Sequence, residues 1–137
     1  MDCIFCKIIE GDLPSTKVYE DKRFLAFLDI NPINKGHVLV IPKEHYDSIV
    51  NAPVDVIKDL MAVIKNLCQA VVNGSGAQGF NLVLNNGRVA GQLVDHVHFH
   101  IIPRFKDDNL YPWPGKQYGE GEIENYSKRI INALKEL

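Results

Sequence analysis

Residues 95–102 read Asp-His-Val-His-Phe-His-Ile-Ile and hold three of the chain's five histidines. His96, His98 and His100 alternate with Val97, Phe99 and Ile101, a period of two that predicts a strand. Successive side chains on a strand point to opposite faces, so the imidazoles are expected along one face and the apolar residues in the core. Neighbouring imidazoles would start roughly 6.6 Å apart at ~3.3 Å rise per residue, near enough to share one ligand. Imidazoles in that number can accept protons, bind a metal or attack an electrophile near neutral pH. Two histidines on a strand with a third are also a common catalytic zinc arrangement. At this level metal binding and nucleophilic use both stand.

The flanks favour an anionic ligand. Asn85-Asn86-Gly87 and Gly91-Gln92 bring amides and backbone N–H groups to the start of this stretch, and Gly91 permits close backbone approach. Such donors beside imidazoles suit the oxygens of a phosphate. A second constellation is Cys3-x-x-Cys6. The spacing fits a metal pair, or two small buried residues; thioredoxin-like use would require a surrounding βαβ unit that the pattern lacks.

The elements around these residues follow from periodicity and punctuation. Residues 3–9 form a short helical turn closed by Gly11 and Pro14. Residues 17–19 and 24–28 are strands of a hairpin turning at Glu20-Asp21-Lys22-Arg23. Asp29-Ile30-Asn31-Pro32 is a loop, and the apolar run 37–41, stopped by Pro42, is a central strand. A helix begins near Asn51-Ala52-Pro53 with Asn51 as its cap; Ile57, Leu60, Met61, Ile64, Leu67, Cys68 and Val71 recur at helical spacing. Val56, Val63 and Val72 lie outside that stripe and offer a second apolar face. Gly74-Ser75-Gly76 ends the helix, residues 80–84 are a strand, and the histidine strand follows. Residues 106–121 are rich in Asp, Pro and Gly and read as irregular, with Trp113 either capping a pocket or anchoring at the surface. A last helix, 122–136, aligns Ile123, Tyr126, Ile130 and Leu134. This order predicts an α+β domain: an antiparallel sheet with a long central helix and a C-terminal helix.

Composition bounds the partners. The 137 residues make one domain's worth of chain, and a formal net charge of −2 argues against a nucleic-acid surface. No apolar run reaches the ~20 residues of a membrane span. Asp2 and the lack of a long apolar start argue against a signal peptide. Three cysteines, two of them closely spaced, suit a reducing compartment, so a soluble cytoplasmic protein is expected.

Gly91-Gln92-Leu93-Val94-Asp95-His96-Val97-His98-Phe99-His100-Ile101-Ile102 resembles the signature of the histidine triad (HIT) family, His-φ-His-φ-His-φ-φ with φ apolar. The resemblance extends to Asp29-Ile30-Asn31-Pro32 and to Gly36-His37-Val38-Leu39-Val40-Ile41-Pro42-Lys43, covers residues 3–104, and is nearest to the Hint-type nucleotide-binding branch. It implies a single HIT domain over 1–137, with a core of about 3–104 and a C-terminal extension over 105–137 that carries the last helix. It also implies a homodimeric nucleotide hydrolase or nucleotidyl transferase. The substrates would be purine nucleoside phosphoramidates, mixed anhydrides or dinucleoside polyphosphates, cleaved at the α-phosphate through a nucleotidyl-histidine intermediate. The alternative is a nucleotide-binding module with little turnover.

By the same resemblance His98 is the nucleophile, His100 and Gln92 hold phosphate oxygens, Asn85 and the Gly91 backbone position the phosphate, and His37 supports the triad. Asp29 matches the ribose-binding position and Ile30 packs by the base. Leu93 stands where many members carry a Ser or Thr that helps protonate the leaving group. Zinc-bearing relatives match Cys3, Cys6, His45 and His96, which implies one structural zinc.

Overall fold

The computed structural model describes residues 2–137. Its frame is a five-stranded antiparallel sheet in the order β1-β2-β3-β5-β4. The strands are β1 (Lys17–Glu20), β2 (Phe24–Leu28), β3 (Val38–Pro42), β4 (Gly79–Leu84) and β5 (Phe99–Arg104). Three helices accompany them, α1 (Ile4–Glu10), α2 (Val54–Ser75) and α3 (Glu122–Lys135), so the α+β class expected from the sequence is the one adopted.

Strands β2 and β3 are unbroken apolar runs because both of their faces are covered. Phe24, Ala26, Val38 and Val40 pack with Leu60, Ile64 and Leu67 of α2. Leu25, Phe27, Leu39 and Ile41 pack with Phe5 and Ile8 of α1. The helices therefore lie on opposite faces of the sheet. Leu60 and Ile64 are fully buried, and burying each such side chain contributes about 1.5–3 kcal/mol. Val56 also enters this core, so it is not on a second free face; Val63 and Val72 are half-buried.

The hairpin turn is fixed by Asp21, whose carboxylate accepts hydrogen bonds from the N–H groups of Arg23 (2.7 Å) and Phe24 (2.8 Å). Asn51 does not cap α2. It closes a short 3-10 turn, Ile49–Asn51, and Pro53 is the residue that precedes the helix. Proline fits there because its φ of −61° is already near the helical value and it has no N–H to leave unpaired.

The histidine stretch departs most from expectation. Only His100 lies in β5, which begins at Phe99. The ladder stops because its next partners are engaged elsewhere: the Pro42 carbonyl accepts from the His96 ring at 2.8 Å, and the Val97 N–H donates to the Tyr46 carbonyl at 2.8 Å. The alternation still sorts the side chains, since Val97, Phe99 and Ile101 all enter the α2-side core. Beyond Asp108 every residue is exposed, including the apolar stripe of α3. No helix among the described residues is long and apolar enough to cross a membrane.

Candidate active site and metal centre

All five histidines gather on the α1 side of the sheet, in two adjoining groups. Hydrogen-bond partners determine which nitrogen of each ring carries the proton. The His98 Nδ1–H donates to the His96 carbonyl at 2.7 Å, which leaves Nε2 with a free lone pair. The His37 Nδ1 accepts from the Ile33 N–H at 3.1 Å, so the His37 proton sits on Nε2. That Nε2–H donates to the His100 Nδ1 at 2.9 Å. The His100 proton is therefore on its own Nε2, a buried atom with no hydrogen-bond partner. A buried N–H left unpaired costs about 1–3 kcal/mol. It is a vacant donor beside a free nucleophilic nitrogen, since the His98 and His100 rings lie 5.0 Å apart.

Burial pushes the His98 imidazole below its ordinary pKa, and takes His100 down to about 4, helped by the neighbouring His98 and His37. His37 is lowered by burial and raised in part by Asp29, whose carboxylate lies 3.7 Å from its Nε2. The rings are neutral at pH 7, the state a nucleophile needs.

Asp29 accepts from the Asn31 N–H at 2.8 Å through Oδ1, and its other oxygen faces His37. Ile30 beside it is 91% exposed, open to a flat ligand group. Gly91 has φ of +93°, a conformation that side-chain-bearing residues rarely adopt, and its backbone lies beside the Asn85 amide. Leu93 is exposed, and its side chain has no group that could carry a proton.

Gln92 lies just ahead of the histidine stretch. The side chain is 4% exposed and its amide is committed to backbone. Oε1 accepts from the Gly87 N–H at 2.8 Å, and Nε2 donates to the carbonyls of Asp47 (2.6 Å) and Val94 (3.1 Å). These bonds close the loop.

The second group contains Cys3, Cys6, His45 and His96, whose ligand atoms all lie within 4.8 Å of one another. The His96 Nε2–H donates to Pro42 and the His45 Nε2–H to the Asp47 carboxylate at 2.9 Å. Both Nδ1 lone pairs therefore point inward and meet at 3.2 Å, with Cys3 Sγ 3.4 Å and Cys6 Sγ 3.6 Å from the His96 nitrogen. Cys6 Sγ lies 3.4 Å from the His45 nitrogen. A tetrahedral ion with bonds of about 2.0–2.3 Å holds its ligand atoms roughly 3.3–3.8 Å apart. The four donors fit such an ion. Without one, burial and the adjoining Cys3 push the Cys6 thiol up to about 11.

The three triad histidines do not converge on one ligand: His96 belongs to the cysteine group, while His98 and His100 adjoin each other. A further contributor had not been singled out. Phe5 packs edge-on against His98 (5.0 Å) and His96 (5.9 Å), bracing both rings from α1. Its place between Cys3 and Cys6 was the available signal, because a residue inside a two-cysteine turn must lie beside whatever the cysteines face. Asp47, two residues past His45, was the other.

With this geometry in hand, comparison with known proteins is specific. Residues 10–107 match the HIT domain family, and the chain belongs to it. It is 45% identical over 137 residues to adenosine 5′-monophosphoramidase hnt1 of Schizosaccharomyces pombe, covering 98% of this chain and 100% of that one. It is 44% identical over 134 residues to adenylylsulfatase HINT3 of Arabidopsis thaliana, covering 98% and 68%. Among solved structures, a HIT family protein from Bacillus subtilis superposes with a TM-score of 0.87 at 40% identity, covering 96% of each chain. A Zn-bound histidine triad family protein from Mycobacterium smegmatis superposes with a TM-score of 0.77 at 34% identity, covering 98% of each.

Proposed function

We propose that the protein is a nucleotide hydrolase or nucleotidyl transferase that cleaves purine nucleoside phosphoramidates, mixed anhydrides or dinucleoside polyphosphates at the α-phosphate. One observation carries the reading: the unpartnered buried Nε2–H of His100 beside the free Nε2 lone pair of His98. The lone pair attacks the α-phosphorus, a P–N bond forms, and the bond to the leaving group breaks with its electron pair. Water then hydrolyses the nucleotidyl-histidine and restores the imidazole. Splitting one displacement in two lowers each barrier. The His100 N–H supplies the hydrogen bond that a non-bridging oxygen needs as its charge grows. His37 holds His100 in the required tautomer, Asn85 and the Gly91 backbone position the phosphate, Asp29 receives the ribose hydroxyls and Ile30 lies against the base. The names of the S. pombe and A. thaliana relatives support an adenylyl substrate with an amine or an oxyanion leaving.

The same reading assigns one zinc to Cys3, Cys6, His45 and His96, supported by the inward-facing donors and by the Zn-bound relative. Bound there, zinc supplies a structural crosslink between α1, the segment after β3 and the histidine stretch. The working form is a homodimer. Edge strand β4 supports this, since its outer ladder is unpaired and Phe80 and Leu82 are 43% and 39% exposed.

The test is incubation with adenosine 5′-phosphoramidate and with a diadenosine polyphosphate, following AMP release and acid-quenching for mass spectrometry. AMP release with an adenylyl adduct on His98 is expected. Saturable binding without release would make the protein a binding module.

A further inference from the structure

The segment that carries His45 is tied to the loop before the histidine stretch, and to that stretch itself, at three points. Gln92 bridges Gly87 to the Asp47 carbonyl through its two amide atoms, at 2.8 and 2.6 Å. The Ile49 N–H donates to the Asn86 side-chain carbonyl at 3.0 Å. The Val97 N–H donates to the Tyr46 carbonyl at 2.8 Å. Asp47 also holds the His45 ring, at 2.9 Å, in the tautomer that aims its lone pair at the cysteines. His96 closes the circuit: its ring faces the same cysteines while its backbone carbonyl holds His98 at 2.7 Å.

We propose that Gln92 and Asp47 form a strut that couples the Cys3–Cys6–His45–His96 metal site to the phosphate-facing loop, so that metal and nucleotide each tighten the other's binding. Gln92 is then a positioning residue. The inference rests on the nucleotide reading above. Its physical basis is that neither end can shift alone. Gly87 has φ of +90°, a conformation that side-chain-bearing residues rarely adopt, and the Gln92 amide holds it there. If the metal leaves, His45 and Asp47 lose their fixed point, and the Asp47 carbonyl that receives Gln92 is freed to move. Coupling between two sites is reciprocal, so a nucleotide that orders the loop must slow the loss of metal.

The experiment loads the whole protein with zinc and follows release to a chromophoric chelator, with and without saturating AMP. AMP is expected to slow release by about fivefold or more, the lower range of ordinary site coupling. Gln92→Glu keeps an acceptor for Gly87 but has no N–H for Asp47, and should bring the ratio of the two rates close to one. Asn86→Ala removes the Ile49 link from an exposed position and should lower the ratio part way; it decides the matter if the Gln92 variant does not fold. Equal release with and without AMP in the unaltered protein overturns the strut. So does a Gln92→Glu protein that binds AMP more weakly yet keeps the native zinc ratio, because that is the behaviour of a phosphate ligand. Failure to take up zinc overturns it as well. Failure of AMP to bind at all is seen in the AMP titration itself, and shows that the nucleotide reading has failed and the strut with it.

Discussion

His45 Nδ1 and His96 Nδ1 face each other at 3.2 Å, and each is the unprotonated nitrogen of its ring. Two lone pairs at that distance repel unless something positive lies between them. The two cysteine sulfurs beside them turn this relationship into a four-donor cage rather than a shared proton. Protein purified without chelator is therefore expected to hold close to one zinc per chain by metal analysis. Cys6→Ser should lower both zinc content and melting temperature, since binding energy at such a site is folding energy. Zinc content far below stoichiometric in the unaltered protein would refute the cage.

His98→Ala should retain the fold, because the ring makes one side-chain hydrogen bond and that is to its own neighbourhood. The adenylyl adduct should disappear, and AMP release should fall to background. An adduct on His96 or His100, or turnover near the native rate, would contradict the assignment.

His100 links acid stability to the site. Its pKa is held at about 4 against an ordinary 6.5, chiefly by burial. Between those values the unfolded chain takes up a proton that the folded protein refuses, so stability is intact above pH 6.5 and falls as pH drops toward 4. Denaturant titrations at pH 7 and pH 5 should show this slope in the unaltered protein. They should show a shallower one in His100→Asn, which has no such proton to take up; equal slopes would reject the assignment.

Much of the frame was legible in the sequence because its signals were local. The runs around Leu25 and Val40, the helical stripe through Leu60 and Ile64, and Gly76 at the end of α2 each announce their element. What was not legible depended on contacts between distant residues. Strand β5 begins later than the alternation suggests because the Pro42 carbonyl goes to an imidazole 54 residues away. The Gln92 amide donates to the Asp47 carbonyl, 45 residues distant, a contact that no local pattern announces. Division of the triad between two groups follows from Cys3, 93 residues from His96. Spacing within a motif could indicate the chemistry of each residue but not its partner.

For the dimer, Leu82→Lys on edge strand β4 places a charge where the side chain is exposed in the single chain, so folding should be unaffected. Sedimentation at micromolar concentration is expected to give a dimer for the unaltered protein and a shift toward monomer for the variant. A monomer in both would remove the dimer from the reading.

Leu93 bears on which bonds the site can break. An amine leaves poorly as an anion and needs a proton in the transition state, whereas a phosphate or sulfate departs with its charge. A positioned acid is typically worth ~10²–10⁴ in rate, and a leucine side chain cannot supply one. Leu93 is 75% exposed and its carbonyl, not its side chain, is the atom engaged, accepting from Arg88 at 2.7 Å. Leu93→Ser should therefore leave the loop as it is while adding a hydroxyl at the position where the family resemblance places the leaving-group acid. With one nucleoside and two leaving groups, an amine and a phosphate, kcat/KM for the amine substrate is expected to rise about tenfold or more relative to the anhydride, the low end of what a positioned acid confers. If the ratio does not move, the leaving group takes its proton from elsewhere, and the missing hydroxyl does not limit this site.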